Sequence, residues 1–279
     1  MKKPVIVISS HVVRGSVGNR AAVFALETRG HPVWAVPTVI LPYHPGHGPA
    51  TRIVPDRNQF EGLLDDLANS RWLGELGGIL TGYIADAAQA EAAGRFVTRL
   101  KAKNPDAIHL CDPVMGDDGG LYVHEDTAAA IRTHLAGRAD ILTPNRFELE
   151  WLSGESISGV NEARRAAANL APATVLATSI PAMMRGNIAN LLVHGSEAML
   201  AEHRQIEDPP KGPGDLIAAL FLSHLLDGEA PDKALQASAA SVFEMVARAA
   251  KLGADELMLE IDTASIQRPM AMVSTRKLI

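Results

Sequence analysis

Residues 211–215 read Lys-Gly-Pro-Gly-Asp and run straight into the apolar stretch Leu216–Leu226. Glycines at 212 and 214 let a backbone turn sharply and approach a ligand closely. A helix expected to begin just after the motif would aim unpaired N–H groups, and the positive end of its dipole, at an anion such as phosphate. A carboxylate at the same point, Asp215, can take the proton of a substrate hydroxyl. These are the parts a small-molecule phosphotransferase needs. A plainer reading is a Gly-rich turn with Asp215 as an N-cap. The pentapeptide alone does not decide between the two.

Other polar groups fall where short apolar runs end. Asp112 opens the segment Asp112–Gly120, rich in glycine and aspartate. Carboxylates there suit Mg²⁺, a hard cation that keeps several waters; the alternative is a solvated acidic loop. Gly119, Gly120, Leu121 and Tyr122 fit either a mobile flap with an aromatic handle or a simple turn. Asn145 and Glu148 have the spacing of a capping box, a structural role that leaves room for a second one in ordering metal-bound water. Thr178 and Ser179 offer hydroxyls and amides, as an ordinary Ser/Thr turn also would. Ser10, His11 and Arg14 join the first strand to the first helix and can orient a polar heterocycle. His44 and His47 have no acidic or cysteine partner at ligand spacing, which argues against a metal there.

These residues need a frame. Strands are expected at Val5–Ile8, Val33–Val36, Gly77–Leu80, Ile108–Cys111, Asp140–Leu142 and Thr174–Ala177, with a hairpin of Ala189–Val193 and Ala198–His203 around Gly195. Helical patterns fill the intervals: Asn19–Arg29, a segment capped by Asp56 with Phe60, Leu63, Leu64 and Leu67 inward, Asp86–Lys103, Glu125–Leu135, Asn145–Leu152 and Asn161–Leu170. Leu216–Leu226 and Lys233–Leu252 follow. The prolines and glycines between Leu41 and Arg52 predict an irregular loop. Strands alternating with helices imply a mostly parallel sheet covered on both faces, with ligands beyond the C-terminal strand ends.

The 279 residues are 47% apolar and 21% charged, enough for a sizeable core, and residues 1–279 read as one domain. A net charge of −6 argues against nucleic acid as the main partner. The single cysteine, Cys111, excludes an internal disulfide and fits a reducing compartment. The apolar start is too short for a signal peptide, and no run approaches the length of a membrane span. The expectation is a cytosolic protein. Walker-type and GxGxxG loops are missing, so the usual P-loop and dinucleotide explanations fail.

Taken together, the segments resemble the pyridoxal kinases of the ribokinase-like superfamily. The pieces, in order, are SSHVVRGSVGNRAAVFALETRG from Ser9, LTGY at Leu80–Tyr83, CDPVMGDDGGLYV from Cys111, LTPNRFELEWLSG from Leu142, VLATS at Val175–Ser179 and GPGDLIAALFL from Gly212. The resemblance implies a three-layer αβα sandwich, a homodimer, and transfer of the ATP γ-phosphoryl group to the 5′-hydroxyl of pyridoxal. It implies Asp215 as base, and Gly212 and Gly214 in the anion hole. Ser10 and Tyr83 would stand near the vitamin, and Asp112 and Glu148 on Mg²⁺ and its waters. Asn145, Thr178 and Ser179 would bind ATP phosphates, Tyr122 would lie on the flap, and a monovalent cation such as K⁺ would assist.

Two departures stand out. Pro213 replaces the Thr or Val of the family motif and removes one N–H. The loop Thr38–Pro45 keeps only Thr38, Val39 and His44 of a family segment near the substrate, which opens the choice among B6 vitamers. A hydroxymethylpyrimidine kinase, or a weakly catalytic protein that binds pyridoxal phosphate, are the alternatives.

Overall fold

The computed structural model describes residues 2–170 and 174–278. Strands β1 (Val5–Val12), β2 (Val33–Leu41), β3 (Gly78–Thr81) and β4 (Ile108–Cys111) alternate with helices α1 (Asn19–Thr28), α2 (Arg57–Asn69) and α3 (Ala87–Lys103). A short ribbon follows, β5 (Gly116–Asp117) and β6 (Gly120–Leu121). Next come α4 (Glu125–His134), β7 (Ile141–Leu142), α5 (Arg146–Ser153), α6 (Val160–Ala168), β8 (Thr174–Pro181), β9 (Asn187–His194) and β10 (Glu197–Arg204). The chain ends with α7 (Pro213–Leu226), α8 (Pro231–Lys251), α9 (Thr263–Gln267) and β11 (Ser274–Leu278).

One nine-stranded sheet has the order β11-β10-β9-β8-β7-β4-β3-β1-β2. From β2 to β8 the neighbours run parallel, and from β8 to β11 they run antiparallel. Alternation along β1 sends Val5 and Val7 into a core shared with α1, α7 and α8. Ile6 and Ile8 enter the opposite core, against α2, α3 and α4. The result is a mostly parallel sheet between two helical layers, as the alternation of elements predicts.

Helix α7 is apolar all round, and every residue from Leu216 to His224 is buried. A helix of that kind belongs in the interior. Each large side chain so buried contributes about 1.5–3 kcal/mol. That packing fixes the N-terminus of α7, and therefore Asp215, against the sheet.

Several elements depart from the sequence expectation: β1 runs to Val12 instead of ending at Ile8, so Ser10 and His11 are part of the strand, and β8 runs to Pro181 instead of Ala177. Strand β2 runs through Pro37 to Leu41, beyond Val36. It is an edge strand, and its register with β1 shifts between Ser9 and His11, both situations that tolerate a proline without a ladder N–H. Leu63, expected to face the core, is 47% exposed. Strand β11 is polar and exposed, and pairing with β10 is what makes it a strand. Among the described residues no helix is long and apolar enough to cross a membrane.

Candidate active site

A cleft of about 580 Å³ opens beyond the C-terminal ends of the parallel strands. Ser10 reaches it from β1, Tyr83 from the end of β3, Asp112 from the end of β4, and Thr178 from β8. Tyr122 enters after the β5–β6 ribbon, and Asn145 and Glu148 enter from the start of α5. Gly212, Gly214 and Asp215 form the wall at the start of α7. Residues spread over 206 positions of sequence (10 to 215, inclusive) thus meet in one place. Ser179 is not among the lining residues. It is exposed, with a left-handed φ of 57° at the irregularity where β8 pairs with β9.

The start of α7 corrects the sequence expectation. The helix begins at Pro213, so Asp215 lies inside the first turn, and Gly212 with φ 104° is the N-cap. Proline at the first helical position has the fixed φ the helix needs, and the N–H it lacks would have had no partner within the helix. Gly212 is required sterically: a Cβ there would collide with the Ser16 carbonyl. Gly214 differs, because the space where its Cβ would go is open. The motif therefore places one glycine against protein and leaves the other beside free volume at a helix N-terminus.

Asp112 and Glu148 are buried, at 6% and 3% exposure. Thr143 Oγ1 donates to Asp112 Oδ1 at 3.1 Å. Glu148 completes the capping box of α5, and its Oε1 also accepts from the Met115 amide at 3.0 Å. The Asn145 side chain additionally donates to the Gly116 carbonyl at 2.8 Å, tying α5 to the β5–β6 ribbon. Burial, then Glu148, then Asp215 push the Asp112 carboxyl well above its ordinary range. Burial lifts Glu148 to about 8 against the pull of three backbone amides. Burial likewise lifts Asp215 to about 6, opposed by the amides of Gly18 and of Asp215 itself. Crowded, desolvated carboxyls of this kind favour a neighbouring cation. Among the described residues no group of three or more His, Cys, Asp or Glu is arranged to hold a metal. Two carboxyls instead suit Mg²⁺, which takes its remaining ligands from phosphate and water.

Thr143, at a strand end, Lys211, which opens the glycine motif, and His44 line the same cleft, as do Asp117 and Arg52, to which the sequence gives no site role. Arg52 Nη2 donates to the Tyr83 hydroxyl at 3.1 Å. Burial first, and the Lys211 charge second, lower the His44 pKa, which favours its neutral form. His47, which has no acidic partner at ligand spacing along the sequence, lies 2.9 Å from Glu256, 209 positions away. No local spacing rule could have found that pair. Gly116 and Asp117 pair antiparallel with Gly120 and Leu121, so the segment read as flap or turn is a small ribbon apart from the main sheet. Tyr122 follows it, half exposed.

A family model described as phosphomethylpyrimidine kinase matches residues 75–260. The pyridoxal kinase PdxY of Rubrobacter xylanophilus is 35% identical over 280 residues, covering 98% of this chain and 97% of that protein. A pyridoxine/pyridoxal/pyridoxamine kinase of Bordetella avium is 37% identical over 265 residues, covering 91% of this chain and 88% of that one. The Leishmania donovani pyridoxal kinase, solved with ADP and pyridoxine, superposes with a TM-score of 0.92 at 28% identity and covers 99% of both chains. By sequence and by fold, the chain belongs to the phosphomethylpyrimidine kinase family, within its pyridoxal kinase branch.

Proposed function

We propose that this protein, as one ribokinase-like domain, transfers the γ-phosphoryl group of ATP to the 5′-hydroxyl of pyridoxal, giving pyridoxal 5′-phosphate. The observation that carries the reading is Asp215. It is a carboxylate in the first turn of a buried helix, in one cleft with Asp112 and Glu148.

Ser10 and Tyr83 stand at the vitamin end, with Tyr83 steadied by Arg52. Asp215 takes the hydroxyl proton as the oxygen attacks the γ-phosphorus, whose bond to the β–γ bridging oxygen breaks to release ADP. The amide of Gly214 and the N-terminal end of α7 face the transferring group, where fixed dipoles stabilise developing charge. Asn145 and Thr178 contact the nucleotide phosphates, Ser179 contributes its backbone, and Tyr122 covers the nucleotide. Asp112 and Glu148 would hold Mg²⁺, which would supply positive charge to offset that of the phosphates. The same reading carries a homodimer, a cytosolic setting and a monovalent cation such as K⁺.

A hydroxymethylpyrimidine kinase is the second reading, favoured by the description of the matching family model. Phosphorylation of pyridoxal, pyridoxine, pyridoxamine and hydroxymethylpyrimidine with Mg-ATP decides between the two. The expected result is the highest kcat/KM with pyridoxal. A preference for hydroxymethylpyrimidine would reverse the assignment, and transfer to none of the four would leave a pyridoxal phosphate-binding protein.

A further inference from the structure

Glu256 lies outside the cleft lining, yet it touches or adjoins three segments that shape it. It is buried, at 5% exposure. The Ser16 amide donates to its Oε2. His47 Nε2 lies 2.9 Å from its Oε1, and Arg14 Nη1 lies at 3.8 Å. Its flanking residues grip the chain just before α7: the Lys211 amide donates to the Asp255 carbonyl at 3.0 Å, and the Leu257 amide donates to the Lys211 carbonyl at 3.1 Å. Gly15 stands so close that a Cβ there would strike the Glu256 carboxylate.

The segments it joins are those that set the transfer geometry. Ser16 packs its carbonyl against Gly212, closely enough to exclude a Cβ. Two residues on, the Gly18 amide lies near enough to the Asp215 carboxylate to favour its charged form. On the other side, His47 ends the short 3₁₀ turn Pro45–His47, and Pro45 and Gly46 line the cleft. The buried carboxylate thus joins the loop between β1 and α1 to the loop after β2, while the backbone on either side of it holds the approach to α7.

We propose that Glu256 is a positioning residue: by clamping the Ser16 amide beside Gly212 and holding His47, it fixes the anion-hole turn and the Asp215 carboxylate relative to the vitamin. This rests on the kinase reading given above. A carboxylate is suited to the task because it accepts from an amide and a ring N–H together, and charge-assisted bonds of this kind are the stronger ones. Small displacements of reacting groups are costly, so loss of the clamp reaches the chemistry without touching a substrate.

The test compares wild type with Glu256→Ala, Glu256→Gln and Gly15→Ala. Glu256→Ala is expected to lower kcat/KM for pyridoxal by about 10–100-fold. KM for Mg-ATP should change less than kcat/KM for pyridoxal, because Asp112, Asn145, Glu148 and Thr178, which hold the nucleotide in this reading, stand on other elements. Gln keeps an acceptor for the Ser16 amide and should recover most of the loss. Gly15→Ala keeps the carboxylate but displaces it, and should reproduce the defect if Glu256→Ala does not fold. Amide exchange in the ligand-free protein gives a readout that needs no activity. Segments 14–19 and 209–216 should exchange at least about tenfold faster in Glu256→Ala while β3 and β4 keep their protection. Unchanged exchange in those segments, or equal losses toward both substrates, would overturn the proposal. Wild type that phosphorylates no B6 vitamer would sink the functional reading instead, and the exchange measurement would still decide the role of Glu256.

Discussion

Asn145 and Glu148 hold each other across the first turn of α5. Glu148 Oε2 accepts from the Asn145 amide at 2.8 Å, and Asn145 Oδ1 accepts from the Glu148 amide at 2.9 Å. The other Glu148 oxygen accepts from Met115, beyond β4. The capping pair is therefore also a fixed carboxylate on the cleft wall, close enough to Asp117 for its charge to be felt. A helix signal and a functional group are here the same atoms, and substituting either residue should loosen both.

Asp215→Ala should lower kcat by about 10²–10⁴-fold, the usual cost of losing a general base. ADP binding, measured by calorimetry, should stay near that of wild type. Turnover close to wild type would remove Asp215 from the role of base.

Asp112→Asn should have opposite effects on activity and stability. It keeps the oxygen that accepts from Thr143 but removes one of three crowded carboxyls. Because burial raises the Asp112 pKa in the folded state, its ionised form destabilises the fold at pH values above the unfolded pKa. The variant should melt higher than wild type at pH 8 without ligand, and should need more Mg²⁺ for half-maximal rate. A lower melting temperature would show that the buried carboxyl is no cost to the fold, and an unchanged Mg²⁺ requirement would contradict the placement of the metal.

The rate should fall in acid. Transfer needs ionised Asp215, whose pKa lies at about 6. With Mg-ATP saturating, kcat/KM for pyridoxal should be flat above that value and drop about tenfold per pH unit below it. Stability runs the other way. The folded-state pKa exceeds the unfolded one, so the contribution of Asp215 is most favourable below the unfolded pKa and is lost as pH rises through about 6. An acid limb centred near pH 4 would mean that burial is not felt in the working enzyme.

The glycines of the motif should respond differently. Gly212→Ala meets the Ser16 carbonyl at a positive φ and should destabilise the fold by roughly 1–3 kcal/mol, read by denaturant unfolding. Gly214→Ala meets open space, so it should fold normally and raise KM for Mg-ATP or lower kcat. Pro213→Thr should change kcat by less than about threefold, since position N1 has no partner within the helix for an N–H. A large loss in Pro213→Thr with the fold intact would show that the ring itself shapes the turn.

The sequence determined the layer order and the principal motifs, because those follow from local rules. Apolar periodicity marks the helices and short buried strands, and a polar group at a strand's C-terminal end falls at the ligand edge of a parallel sheet. Asp112, Asn145, Glu148, Thr178 and Asp215 were legible for that reason, and all line the cleft. Tertiary structure decided what depends on partners distant in sequence. Pro37 lies inside a strand because that strand is at the sheet edge, and residues 274–278 are extended because β10 pairs with them. Ser179, next to Thr178 in sequence, is turned outward by the irregular pairing of β8 with β9. Arg52 beside Tyr83 and Glu256 beside Ser16 and His47 are separated by 31 to 240 positions, and no periodicity brings such groups together. Only the closed fold, in which loops from several strands converge, sets the distances between them.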